Sequence, residues 1–323
     1  MRCYSIEAAL IYCSPKSYIQ YPIDMRVALS IADSSLILEK LLDGGHSVVA
    51  GRLAVAFKNI GRNDVSKEIV DVMTMVGYRV KEKDCFKKTS SATFPKIEKS
   101  PYVNRLKFMW QEMRQDVLDV FPEVPKIPEN KDLYLKELDD IYVADAYHSL
   151  SIEGYQVSRN LIEKARSENW NPEDKSQGNE MAVKGYFKSF NNVTRSIELI
   201  LNGENAGVNV RNHHKQWYSE LFSSSIEAGI LKQIDMTAYR DGRVFIRGSK
   251  HTAPDKEAVK DMMPALFELL EEETEASVRA VLGHFMFVFT HPYMDGNGRI
   301  GRFLMNAMLA SGGYPWAVIS VNG

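Results

Sequence analysis

The chain has 323 residues, 45% of them hydrophobic, and its 40 Lys and Arg against 42 Asp and Glu leave a formal charge of -2. That length and apolar content fit an ordinary globular protein of two domains with a substantial core, and near-neutrality excludes a global field drawing it to nucleic acid or anionic lipid. No run of about 18 apolar residues reads as a membrane span and the start MRCYSIEAALIYCSPK lacks a secretory pattern, so the expected location is cytoplasmic, with no membrane partner.

Cys3, Cys13 and Cys85 are odd in number and too widely spaced for a metal knuckle, which leaves them as reduced thiols. From Val27 to Lys81 apolar residues recur at helical spacing, punctuated by Gly44-Gly45, Gly61 and Gly77, the pattern of a small three-helix unit. The stretch CFKKTSSATFPKIEKSP has linker composition, placing a boundary near residues 86 to 101 between a helical N-terminal domain (1-95) and the remainder (96-323). Within the first domain, HSVVAGRLAVAFKNIGRNDVSKEIVDVMTMVGYRV reads as two helices joined by a glycine-containing turn, the spacing of a DNA-reading pair. Up to Pro95 there are 13 Lys or Arg against 10 Asp or Glu, so a plain helical interaction module is the main reading and a DNA-binding regulator the alternative of another class.

Beyond the linker the helical period returns at residues 102 to 120, 131 to 153, 178 to 202, 208 to 228, 255 to 274, 276 to 290 and 298 to 311, which makes the fold class mainly α. One segment breaks the period. YRDGRVFIRGS alternates Val244 and Ile246 with Phe245 and Arg247 after an Asp-Gly turn and closes at Gly248, the pattern of a short β-hairpin flap. The acidic run ELLEEETE reads as a solvated helix face.

The densest chemistry lies in HPYMDGNGRIGR, residues 291 to 302. Upstream, Val278, Val281, Leu282, Phe285, Met286 and Phe289 follow a helical period, and Pro292 disfavours continuing it through His291. Downstream, Ile300, Phe303, Leu304, Ala307 and Met308 restart the period, so DGNG opens a helix. Unpaired N-H groups and the positive dipole end make that start a phosphate site; Gly296 and Gly298 let the backbone approach, and Arg299 and Arg302 supply guanidinium forks. Asp295 offers the hard carboxylate that phosphate-bound Mg2+ prefers, Asn297 can donate to a phosphate oxygen, and His291 can take a proton at neutral pH. GNGRIG also fits G-x-G-x-x-G. Too little chain follows Gly301 for a dinucleotide fold, the preceding segment is helical, and the Gly-Lys-Ser/Thr of a Walker loop is missing.

HPYMDGNGRIGR resembles the signature of the Fic family, His-Pro-Phe-x-Asp/Glu-Gly-Asn-Gly-Arg-x-x-Arg, with Tyr293 in place of the phenylalanine. The resemblance implies a Fic-type helical core that moves AMP from Mg-ATP to a hydroxyl of a target protein. It makes His291 the base, Asp295 the Mg2+ ligand, Gly296, Asn297, Gly298, Arg299 and Gly301 the phosphate cradle, and Arg302 the γ-phosphate clamp. Members of the family usually continue with more helix after the motif, so the natural protein is expected to be longer than this chain.

A second stretch bears on the first. Leu135, Leu138, Tyr142, Ala146, Ser149 and Glu153 form one helical stripe, putting Glu153 on the core-facing side, where a carboxylate needs a partner; Gly154 then ends the helix. SLSIEG resembles the family's inhibitory pattern Ser/Thr-x-x-x-Glu-Gly/Asn, which implies that Glu153 pairs with Arg302 and restrains transfer. The segment around Val244, Phe245, Ile246, Arg247 and Gly248 similarly resembles the flap that registers a target by strand addition. The partner is then an unidentified target protein, the chain itself included, with oligomeric state left open to a homodimer. Transfer of another nucleotide, or removal of AMP, stands as the alternative chemistry. His46, His148, His213, His214, His251 and His284 are left as ordinary.

Overall fold

The computed structural model describes residues 3-86, 100-123, 125, 130-166, 178-246 and 248-321. Most of the expected linker lies outside the described residues. The chain divides into two compact units, Met1–Gln115 and Asp116–Gly323, each described by itself.

The first unit contains α1 (Ile6–Tyr12), α2 (Pro15–Gln20), α3 (Pro22–Ile31), α4 (Ser34–Asp43), α5 (Ser47–Asn59) and α6 (Asn63–Met75), with α7 (Pro101–Val120) beginning in it. Local chemistry sets the helix ends. The side chains of Ser5, Ser14 and Asp33 accept from first-turn N-H groups of α1, α2 and α4, while Gly45, Gly61 and Gly77 take the left-handed conformation after α4, α5 and α6. Leu10, Tyr18, Leu29, Ile37, Leu41, Leu53, Phe57, Ile69 and Met73 make the core that no one of these short helices could bury alone.

The second unit continues with α8 (Lys131–Ile152), α9 (Arg159–Ala165), α10 (Gly178–Leu201), α11 (Ala206–Leu221), α12 (Ser223–Glu227), a 3-10 turn at Gln233–Met236, α13 (Lys256–Glu272), α14 (Ala276–Thr290) and α15 (Asn297–Ser311). Asn130, Ser158, Asn205 and Asp255 cap α8, α9, α11 and α13. α15 is central: it packs against α10, α11 and α14, and all but one of its residues from Asn297 to Ala310 are buried. A helix buried on nearly every side belongs inside a bundle, and Gly298 in its first turn is the residue left partly exposed. Among the described residues no helix is long and apolar enough to cross a membrane.

Three expectations are corrected. The β-hairpin flap does not form: Val244, Phe245, Ile246 and Gly248 lie outside any strand, and Arg247 is outside the described residues. The alternation there has no partner strand, and an isolated two-stranded ribbon is marginal in water; Phe245 is instead 87% exposed. On α14 the core seam runs through Val278, Leu282, Met286 and Phe287, leaving Val281 and Phe285 at the surface. The stripe on α8 is as expected from Leu138 to Ser149, but the buried acid on α8 is Asp145, while Glu153 follows the helix as its C-cap and is half-buried.

Candidate active site

The site is the loop between α14 and α15 together with the C-terminal turn of α8. Thr290 ends α14, and His291 follows at φ 50, the one non-glycine residue with positive φ among the described residues. Such a conformation persists only where its surroundings over-determine it. Here they do: His291 N-H donates to Phe287 O at 2.9 Å, Arg240 N-H donates to Pro292 O at 2.8 Å, and Arg240 Nε donates to His291 O at 2.7 Å. The buried Arg240 guanidinium also donates to the carbonyls of Gly242 and Pro254, so one side chain ties the motif loop to the segment that follows residue 240. On the other flank His251 Nε2 lies 2.9 Å from Phe289 O, its ring stacked on Phe289.

The loop is closed from inside by Asn297. Its Oδ1 accepts from Tyr293 N-H at 2.9 Å and its Nδ2 donates to Tyr293 O at 2.8 Å. Both polar atoms of the carboxamide are thus engaged within the loop. Tyr293 is buried, its ring 3.7 Å from that of Tyr218 and nearly parallel. Its hydroxyl is buried with no hydrogen-bond partner among the described residues.

His291 Nδ1 lies 3.3 Å from Val288 O, so a proton on Nδ1 donates to that carbonyl and Nε2 keeps its lone pair. Burial holds the imidazole pKa below the ordinary histidine value, opposed by the Val288 carbonyl and assisted by the positive charge of Arg240. Those causes favour the neutral form, the one a general base needs. Beside the loop is a cavity of about 420 Å³ lined by Tyr218, Ile234, Tyr239, Arg240, Tyr293 and Met294.

The start of α15 holds the glycines and arginines expected to meet phosphate. Gly296 caps it at φ 79, a left-handed position that glycine occupies without strain, and its N-H donates to Asp295 Oδ1 at 2.6 Å. Arg299 is 1% exposed. Its guanidinium pairs with Asp295 at 3.1 Å and lies 5.2 Å from the ring centroids of both Tyr155 and Phe222, yet its Nε is buried without an acceptor. Arg302 is held from α8: Nε donates to Ser149 Oγ at 2.8 Å, and Nη2 donates to Ser149 O at 3.0 Å and to Glu153 Oε1 at 2.7 Å. A Cβ on Gly298 would overlap Glu153 Oε1, so the carboxylate lies directly on the first turn of α15. Behind Ser149, Asp145 accepts from Tyr186 at 2.6 Å, and burial raises its pKa.

Gly301 is placed differently from expectation. A Cβ there would stand 2.9 Å from His284 Cδ2 and 3.1 Å from Val288 Cγ2, so the glycine permits close packing of α15 on α14 and faces away from the loop. As to a metal, Asp295 is exposed, engaged with Gly296 and Arg299, and no group of three or more His, Cys, Asp or Glu able to hold an ion occurs among the described residues. One hard carboxylate suits a divalent cation that arrives with its other ligands on a polyphosphate, and does not suit a resident ion held by protein alone.

The loop between α14 and α15 thus brings a helix start with two glycines, two arginines and an imidazole together. Residues 209–309 match the profile of the Fic/DOC family, and the chain carries a Fic-family domain there. A protein adenylyltransferase Fic of Nematostella vectensis is 26% identical over 220 residues, 67% of this chain and 48% of that one. One of Drosophila willistoni is 27% identical over 188 residues, 56% of this chain and 34% of that one. The chain thus spans about half or less of the length of these relatives. Among solved structures, residues 134–508 of Fic-1 from C. elegans align at a TM-score of 0.48 and 16% identity, over 98% of this chain and 86% of that one.

Proposed function

We propose that the chain is a protein adenylyltransferase that moves AMP from ATP to a hydroxyl side chain of a target protein, itself included, and that Glu153 restrains it. The observation that carries this reading is the pairing at the start of α15: Arg302 is bonded to Glu153 at 2.7 Å while His291 Nε2 stands free beside the same loop. Neutral His291 takes the proton of the attacking hydroxyl as the Pα-O bond forms and pyrophosphate leaves. The backbone N-H groups at Asn297 and Gly298, with the guanidiniums of Arg299 and Arg302, hold the phosphate charge. Asp295 would hold a Mg2+ that arrives with the nucleotide, and the ion would supply neutralisation of phosphate charge.

The restraint follows from occupancy. While Glu153 neutralises Arg302 and covers Gly298, phosphate oxygens cannot use either, and a carboxylate there repels the triphosphate. The names of the relatives favour ATP as donor. The test is incubation of Glu153→Gly with ATP, GTP, CTP or UTP, followed by intact-mass analysis. An AMP adduct formed with ATP in preference to the others is expected; an adduct only with a different nucleotide would replace the donor, and none with any would remove the transferase reading.

A further inference from the structure

We propose that the first unit holds a second binding site, for a small amphipathic anion with one carboxylate or phosphate on an apolar body. The site is a hollow of about 680 Å³, bounded by Pro15 and Ile19 of α2, Ser47 and Val48 at the start of α5, and the 79-85 segment. That volume is in the range of small-molecule sites, roughly 300 to 1,000 Å³.

Its walls are mainly apolar, and at its mouth Val48 is 83% exposed, so apolar surface is left wet. Four cations, Arg52, Arg79, Lys81 and Lys83, line it against a single acid, Asp84. None of the four has an ion-pair partner among the described residues, and Asp84 Oδ1 is already bonded to Phe86 N-H at 2.9 Å. Four like charges around a low-dielectric hollow repel one another and raise the local concentration of an anion.

Two further observations give the charged head its place. α5 begins at the hollow with no side chain capping its N-terminus; Ser47 N-H donates to Gly45 O at 2.8 Å, which leaves the N-H groups of Val48 and Val49 and the positive dipole end for an anion. Arg52, one turn further along the same helix and lining the hollow, is fixed by a bond from its Nη2 to Ile11 O at 3.3 Å and by the Tyr18 ring 5.6 Å away. The hollow keeps its form because α5 and the basic segment touch backbone to backbone: a Cβ on Gly51 would overlap Lys81 O. A DNA backbone would find the cations but no use for the apolar walls, which favours a ligand that fills the hollow.

The experiment is isothermal titration of the full chain with 1-naphthyl phosphate and 1-naphthoate, with 1-naphthol and inorganic phosphate as controls lacking the charge or the body. One saturable site is expected for at least one of the two naphthyl anions, the stronger identifying the head. It should weaken at least tenfold in Arg52→Gln and in the surface variant Lys81→Gln/Lys83→Gln, and be unchanged in Arg302→Ala. Equal binding of 1-naphthol, no saturable binding, indifference to both basic-residue variants, or loss on Arg302→Ala alone would each overturn it. So would a DNA duplex that competes fully and weakens steeply with salt.

Discussion

Arg240 and His291 show how much of this site rests on single side chains. Arg240 bonds the His291 carbonyl at 2.7 Å and contributes to holding the imidazole pKa below its ordinary value. A depressed pKa keeps the base neutral to lower pH, so the acid limb of the kcat/KM profile should lie below about pH 6.5, the ordinary histidine value. Arg240→Gln removes the charge and loosens the loop: the acid limb should move up and kcat should fall at least tenfold, whereas an unmoved limb would deny Arg240 that role. Tyr155 acts on the other arginine. It follows Glu153 by two residues and its ring lies 5.2 Å from the Arg299 guanidinium, so one turn contacts both Arg299 and Arg302. Tyr155→Ala is expected to lower the KM for ATP in a Glu153→Gly background; no change in steady-state KM would mean that Arg299 is not gated. Tyr293→Phe removes a buried hydroxyl without a partner, and such a group costs about 1-3 kcal/mol. The midpoint of urea unfolding should rise, and a fall would show that the hydroxyl has a partner.

At the scale of elements, what was legible in the sequence is what is contiguous or periodic. The motif sits within twelve residues, so its loop, the helix restart at Asn297 and the placement of His291 could be read directly. Glu153 was legible only in part: the period of α8 put it on the inward side, and its pairing with Arg302 came from the resemblance of SLSIEG to an inhibitory pattern. Arg240 and Phe222 were not: their partners are 51 and 77 positions away, at His291 and Arg299, and nothing local in YRDG or LFSS announces them. Asp145 was missed because it flanks the stripe with Ala146, and only the hydrogen bond from Tyr186, far along the chain, shows which way it points. The flap misled for a related reason: alternation is a local signal, but a strand needs a neighbour, and the described residues there have none. Gly301 misled because a glycine in a phosphate-type motif reads as ligand-facing, while its space is taken by α14. Gly301→Ala should therefore destabilise by about 1-3 kcal/mol through overpacking; a chemical-denaturation midpoint equal to wild type would show that α14 yields.

At the scale of the molecule, pH should act on the stability of the second unit through two histidines far from being charged. Burial lowers His214 and His284 to about 4, with Arg302 adding to the effect on His284. In the unfolded chain both titrate near 6.5, so between about pH 6.5 and 4 the unfolded state binds more protons and stability rises with pH. The full contribution is present above about 6.5 and is lost as pH falls toward 4, at a slope on the order of 1.4 kcal/mol per pH unit for each histidine. Urea midpoints at fixed ionic strength across that window should fall with acidification, and His214→Gln should flatten the slope. The central claim, a phosphate site at the start of α15 worked by His291 and withheld by Glu153, is tested most directly with ATP labelled on either the α or the γ phosphate. Glu153→Gly should take up the α label at least tenfold faster than wild type and no γ label, and Glu153→Gly/His291→Ala should take up neither; uptake of the γ label, or equal α-label rates in Glu153→Gly and wild type, would contradict it.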